Sequence, residues 1–133
     1  MKDLRKFYIN GQWVNPLVAN DLAVENPATE EMIATISLGA AGDVNAAVAA
    51  AKAAFPSYSK VSVEERISLM ENLLKIYMSR YEEMSVAISM EMGAPISLAS
   101  AAQADTGRGH INAAIEALKT FEFERQVGNT RIV

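Results

Sequence analysis

The hydrophobic pattern of this chain changes its period once, at Gly39-Ala40-Ala41-Gly42, and that change divides the chain into a strand-forming and a helix-forming part. Upstream, short runs rich in aromatic and β-branched residues are separated by turn residues, which is the pattern of strands. Phe7-Tyr8-Ile9 and Trp13-Val14 flank Asn10-Gly11. Asn-Gly supplies the two positive φ values of a tight turn, so a hairpin is predicted. A second pair is predicted over 21–25 and 32–37. The intervening Asn26-Pro27-Ala28-Thr29-Glu30 reads as a turn, because Pro27 cannot donate to a strand ladder.

Downstream the spacing is helical. Over 43–55, Val44, Ala47, Val48, Ala51 and Phe55 share one face, Asp43 complements the positive end of the helix dipole, and Pro56 is expected to end the helix. Ser62-Val63-Glu64-Glu65 has the form of a capping box. A single long helix follows it, carrying Ile67, Met70, Leu73, Leu74, Tyr77, Met78, Tyr81, Met84 and Ile88 as its apolar stripe, and Gly93 is the expected stop. Pro95 suits the first turn of a third helix, expected over 95–124, whose middle Gly107 and Gly109 weaken by roughly 1 kcal/mol each relative to alanine. Gly128-Asn129 then turns the chain, and Thr130-Arg131-Ile132-Val133 reads as the start of a strand with no partner downstream, so Val133 is read as a cut.

The chain is thus expected to hold a strand region over 1–38, a helical region over 39–127 and the start of a truncated strand over 128–133. The fold class is α/β, or α+β for a fragment: short antiparallel strands, then three main helices. One domain of 133 residues can bury a core. The net charge of −4 and the lack of a Lys/Arg cluster argue against nucleic acid as a partner. The N-terminal residues show no signal-peptide pattern, and the apolar stretch over 46–55 contains Lys52 and is too short to span a bilayer. No membrane partner and a cytoplasmic location are therefore expected. There is no cysteine, hence no disulfide and no thiolate.

Five features in one order carry a family resemblance. They are the Trp-containing hairpin, Asn26-Pro27-Ala28-Thr29-Glu30, the alanine-rich Asp43-Val44-Asn45-Ala46-Ala47-Val48 run, Glu65-Arg66-Ile67 with its long helix, and Glu91-Met92-Gly93-Ala94-Pro95. Together they resemble the opening part of NAD(P)-dependent aldehyde dehydrogenases. One departure is Ala40, where family members often place a hydroxyl cap; its loss costs about 1 kcal/mol and leaves the helix start open.

The resemblance implies an N-terminal fragment of an enzyme that oxidises an aldehyde to a carboxylic acid. In such an enzyme a cysteine thiolate adds to the carbonyl, hydride passes to nicotinamide, and a Glu-activated water hydrolyses the thioester. The nucleophile, the base, the oxyanion-stabilising Asn and the cofactor strands come later in the family. No catalytic, cofactor-binding or metal residue is therefore assigned here. The parent is expected to use NAD or NADP and this fragment to bind neither. Its expected partners are the rest of the parent chain and further copies in a homo-oligomer. The resemblance also places the helix before Gly93-Ala94-Pro95 beside the route to the active site, and the strand near Ile132 toward a subunit interface. The alternative is a stand-alone helical interaction or structural module derived from that family.

Some residues admit two readings. Met70, Met78 and Met84 are read as core filling, whereas Met92 beside Gly93 is the better candidate for a substrate tunnel. Glu91 with the backbone carbonyls of Val24 and Glu25 could form a monovalent-cation site, against a plain solvated carboxylate. His110 has no nearby Cys, Asp-His pair or second His and reads as a surface residue. Gly107-Arg108-Gly109 follows no strand, so it fails as a phosphate loop. Glu64, Glu65, Glu82 and Glu83 read as wet helix faces.

Overall fold

A computed structural model describes residues 2–132. Strand β1 (Lys2–Asp3) is followed by the predicted hairpin, β2 (Phe7–Ile9) and β3 (Gln12–Val14). Asn10 (φ 52°) and Gly11 (φ 76°) both take the left-handed conformation that a two-residue hairpin turn demands. Tyr8 faces Trp13 across the ladder, their ring centres 5.2 Å apart.

Strands β4 (Asp21–Asn26) and β5 (Glu31–Ser37) form the second predicted antiparallel pair, with a bulge at Val24/Glu25. Their turn is held by Asn26, whose Oδ1 accepts from the Ala28 N–H at 2.9 Å, while its carbonyl accepts from Thr29 and Glu30. One strand relationship departs from expectation. β1 joins β5 in parallel, so the sheet order is β1-β5-β4 and the sheet is not wholly antiparallel. Two charged residues carry no strand pattern of their own. They are placed by the Leu4 N–H bonding to the Thr35 carbonyl and by Arg5 bridging Asp3 and Asp21.

Helix α1 spans Ala41–Tyr58, with Ala40 as its extended N-cap. Alanine has no acceptor, but the buried Asp43 reaches back: Oδ2 accepts from the Ala40 N–H and Oδ1 from the Leu17 N–H, both at 2.9 Å. The cap is therefore half kept. Pro56 does not end the helix as expected. It lies in the last turn, and the Ser59 N–H bonds to the Phe55 carbonyl past it.

Helix α2 (Val63–Ser79) opens on the complete predicted capping box. Glu65 N–H donates to Ser62 Oγ at 3.1 Å, and Ser62 N–H donates to Glu65 Oε2 at 3.0 Å. The expected single long helix is in fact two, because α3 (Tyr81–Met92) starts after a break at Arg80 (φ −115°, ψ 17°). The Ser79 hydroxyl takes the Ile76 carbonyl at 2.8 Å, and the Arg80 N–H is shared between the carbonyls of Ile76 and Tyr77.

Gly93 ends α3 at φ 69°, as predicted. A β-carbon there would stand 2.9 Å from Pro27 Cγ, so the α3 terminus rests directly on the β4–β5 turn. Pro95 is the N-cap of α4 (Ile96–Leu98) instead of its first helical residue. A π-helical segment, Ala99–Ala104, leads without a break into α5 (Asp105–Thr120). This helix stops short of the expected residue 124. The chain turns extended at Phe121, and β6 (Arg125–Val127) pairs antiparallel with β7 (Thr130–Ile132) around Gly128. The terminal strand thus has an upstream partner in β6, and the helical region does not reach 127. Val133 lies outside the described residues.

Little of this is deeply covered. The buried apolar side chains among the described residues are Ala34, Ala99, Ala104 and Ile115. The accessible surface is 9929 Å², against roughly 6,800 Å² for a compact monomer of this length. The expected apolar face of α1 is open, with Phe55 67% exposed and Val44 and Val48 also exposed.

Candidate functional site

The most constrained part of the molecule lies where α2, α3 and the π-helical segment meet. Tyr77 on α2 donates its hydroxyl to the Ala104 carbonyl, and Tyr81 on α3 donates to the Ser100 carbonyl, both at 2.6 Å. Their rings meet edge to face, centres 6.1 Å apart. Burial, with the negative charge of Asp105 nearby, pushes the Tyr81 hydroxyl above its ordinary value. Gly107 is needed here, because a β-carbon on it would lie 2.5 Å from the Tyr77 hydroxyl oxygen. Ser85 is buried beside them and donates to the Tyr81 carbonyl.

The corner at Met92-Gly93-Ala94-Pro95 is built from the same elements. Ser89 Oγ donates to the Ala94 carbonyl at 2.7 Å, closing the turn after α3. From the π segment, Gln103 sends its amide nitrogen to the Met92 sulfur at 3.8 Å. Met92 itself is 63% exposed. Met78 and Met84 are exposed as well, so the expectation that they fill a core does not hold within this chain, whereas Met70 is half-buried. Met84 and Met90 border an open groove of about 690 Å³ with Leu73, Ile76, Tyr77 and Val86.

The other singled-out residues are placed simply. α3 packs against β4, bringing the helix of Glu91 beside the strand of Val24 and Glu25. Glu91 and Glu25 are exposed and Val24 is half-buried. His110 is exposed on α5. Gly107-Arg108-Gly109 sits inside α5, where Arg108 pairs with Asp105 at 2.6 Å and holds its carboxyl below the ordinary value. Glu64, Glu65, Glu82 and Glu83 are all exposed; Glu65 serves as a cap, and Glu83 pairs with Arg80. Among the described residues no three His, Cys, Asp or Glu gather as a metal site. No helix in this range is long and apolar enough to cross a membrane.

Sequence reasoning missed the hydroxyl roles of Tyr77 and Tyr81 and the two hydrogen bonds that the Asp43 carboxylate accepts. The four-residue spacing of the tyrosines was visible, but it read equally as an apolar stripe.

The chain has much open apolar surface and no cysteine. Residues 13–131 match the model of the aldehyde dehydrogenase family. The 3-succinoylsemialdehyde-pyridine dehydrogenase of a Pseudomonas species is 43% identical, over 100% of this chain and 28% of its own length. The crystal structure of an aldehyde dehydrogenase from Bartonella henselae superposes with a TM-score of 0.94 at 45% identity, covering 98% of this chain and 28% of that one. An aldehyde dehydrogenase C variant from Pseudomonas syringae, solved with NAD+ and octanal, gives 0.92 at 43% identity, over 96% and 26%.

The chain belongs to the aldehyde dehydrogenase family, a family of oxidoreductases, and has the architecture of the N-terminal part of its fold. It spans about 28% of the length of the curated relatives it matches.

Proposed function

We propose that this chain is the N-terminal scaffold of a cytoplasmic enzyme that converts an aldehyde and water to a carboxylic acid with NAD(P)+, and that it has no such activity alone. The observation that carries this reading is the absence of any cysteine from a member of this family. Aldehyde oxidation of this type needs a nucleophile to add to the carbonyl before hydride leaves. The cofactor, when bound to the parent, takes up that hydride. On this reading NAD or NADP is held by the rest of the parent enzyme. This chain's own contribution is positional. α3 and the π segment set the Met92–Pro95 corner, and the open faces of α1, α2 and α3 dock against the remainder of the parent, which works as a homo-oligomer.

The test is to purify the 133-residue chain and the full-length protein and to follow nicotinamide reduction with short and long aldehydes. Turnover by the full-length protein and none by the chain is expected. Aldehyde oxidation by the purified chain overturns the proposal.

A second reading is favoured by the surface excess described above: a structural module that folds by self-association, one copy covering the apolar surface of another. Melting temperatures that rise with protein concentration support it, and a monomer with a concentration-independent transition removes it.

A further inference from the structure

We propose that Tyr77 and Tyr81 form a two-rung clamp that fixes the helical register of the chain between Pro95 and Thr120. From Ile96 to Thr120 the helix runs on continuously, but through Ala99–Ala104 its turns are π-helical. A π turn accommodates one residue more than an α turn and disturbs the regular hydrogen-bond ladder, so bonds from outside the helix help to hold it.

Two donors do so here. The tyrosines are four residues apart, and so are the carbonyls they bind. The order is reversed, Tyr77 with Ala104 and Tyr81 with Ser100, each at 2.6 Å. The two bonds therefore span the π segment like rungs between antiparallel rails. Three small residues make room for them. Ala99 and Ala104 are fully buried small residues, and Gly107 leaves open the space next to the Tyr77 hydroxyl. The rings brace each other edge to face across the break at Arg80.

The register matters because of what it aims. If the π turn relaxed to an α turn, the residues on its N-terminal side would rotate by about 100° and shift by about 1.5 Å relative to α5. Gln103 would then lose the Met92 sulfur. Tyr77 and Tyr81 are positioning residues for the Met92–Gln103 corner.

Residue-resolved hydrogen exchange on the intact protein tests this, using Tyr77→Phe, Tyr81→Phe and the double variant. Phenylalanine keeps the ring and removes only the rung. Exchange at residues 99–106 is expected to rise about fivefold per hydroxyl removed, with β4 and β5 unchanged. Tyr81→Phe should act mainly at the Ser100 end and Tyr77→Phe mainly at the Ala104 end. Unchanged exchange over 99–106 in both single variants, or an equal rise throughout the protein, overturns the clamp. The single variants decide the question if the double variant does not fold.

Discussion

The hydroxyl oxygen of Tyr77 stands 2.5 Å from where a β-carbon on residue 107 would be. A glycine in mid-helix ordinarily lowers stability, and replacing it with alanine should gain up to about 1 kcal/mol. Here the opposite is expected. The phenol cannot swing aside without losing its bond to the Ala104 carbonyl. Gly107→Ala should therefore destabilise by about 1–2 kcal/mol. Adding Tyr77→Phe should return part of that loss, because the nearest atom is gone while the ring carbon 2.8 Å away remains. Urea midpoints of the two single variants and the double variant check the coupling; simple additivity would refute it.

Gly93 makes a second backbone demand, of a different kind. Its φ of 69° disfavours any side chain, and Pro27 Cγ lies 2.9 Å from the missing β-carbon. Gly93→Ala should destabilise by about 2–3 kcal/mol, the left-handed penalty and the contact acting together. Gly109, where a β-carbon would meet nothing within 4 Å, is the control. Gly109→Ala should stabilise by up to about 1 kcal/mol. Equal effects at the two sites would contradict this assignment.

The start of α1 can be improved. Ala40 has extended backbone angles suited to a cap and lacks only the oxygen. Ala40→Ser should add about 0.5–1 kcal/mol. Asp43→Ala should remove about 1–3 kcal/mol, because the Leu17 and Ala40 N–H groups would both lose their acceptor. Thermal melts read both signs.

Arg5 sets a pH signature at the N-terminus. Its hydrogen bonds hold the Asp3 carboxyl at about 2, against an ordinary 3.8. The shift is downward, so the linked stabilisation is fully present above the ordinary value and is lost as pH falls through about 2. Both side chains are exposed, so the effect on overall stability should be small. The carboxyl carbon shift of Asp3, followed by NMR, should titrate near 2, and near the ordinary value in Arg5→Gln. A wild-type midpoint near the ordinary value would remove the pairing.

Local chemistry made much of this structure legible in advance. Asn10-Gly11, Asn26-Pro27, Ser62 with Glu65, and Gly93 each name a backbone event within a few residues, and each event is where its residues said. What stayed hidden depends on partners distant in sequence. β1 is a strand only because β5 lies beside it. The π turn has no pattern of its own and rests on tyrosines 27 and 19 residues upstream of the carbonyls they bind. The break at Arg80 left the apolar stripe unbroken, so spacing could not reveal it. Pro56 costs α1 one ladder bond but does not stop it, because the last turn still closes through the Ser59 N–H on the Phe55 carbonyl. At the corner of α3, Met92 and Gly93 were visible, but Gln103 was not, because its approach depends on the width of the turn behind it.

The small set of buried apolar side chains among the described residues, three alanines and one isoleucine, has a calorimetric consequence. The heat-capacity increment of unfolding tracks apolar surface newly exposed to water, and a typical domain of this length gives roughly 1.6–2.0 kcal/mol/K. Much of this chain's apolar surface is already wet when it is folded. Its increment should fall clearly below that range, and its stability curve should be correspondingly flat, with a cold limb far below freezing.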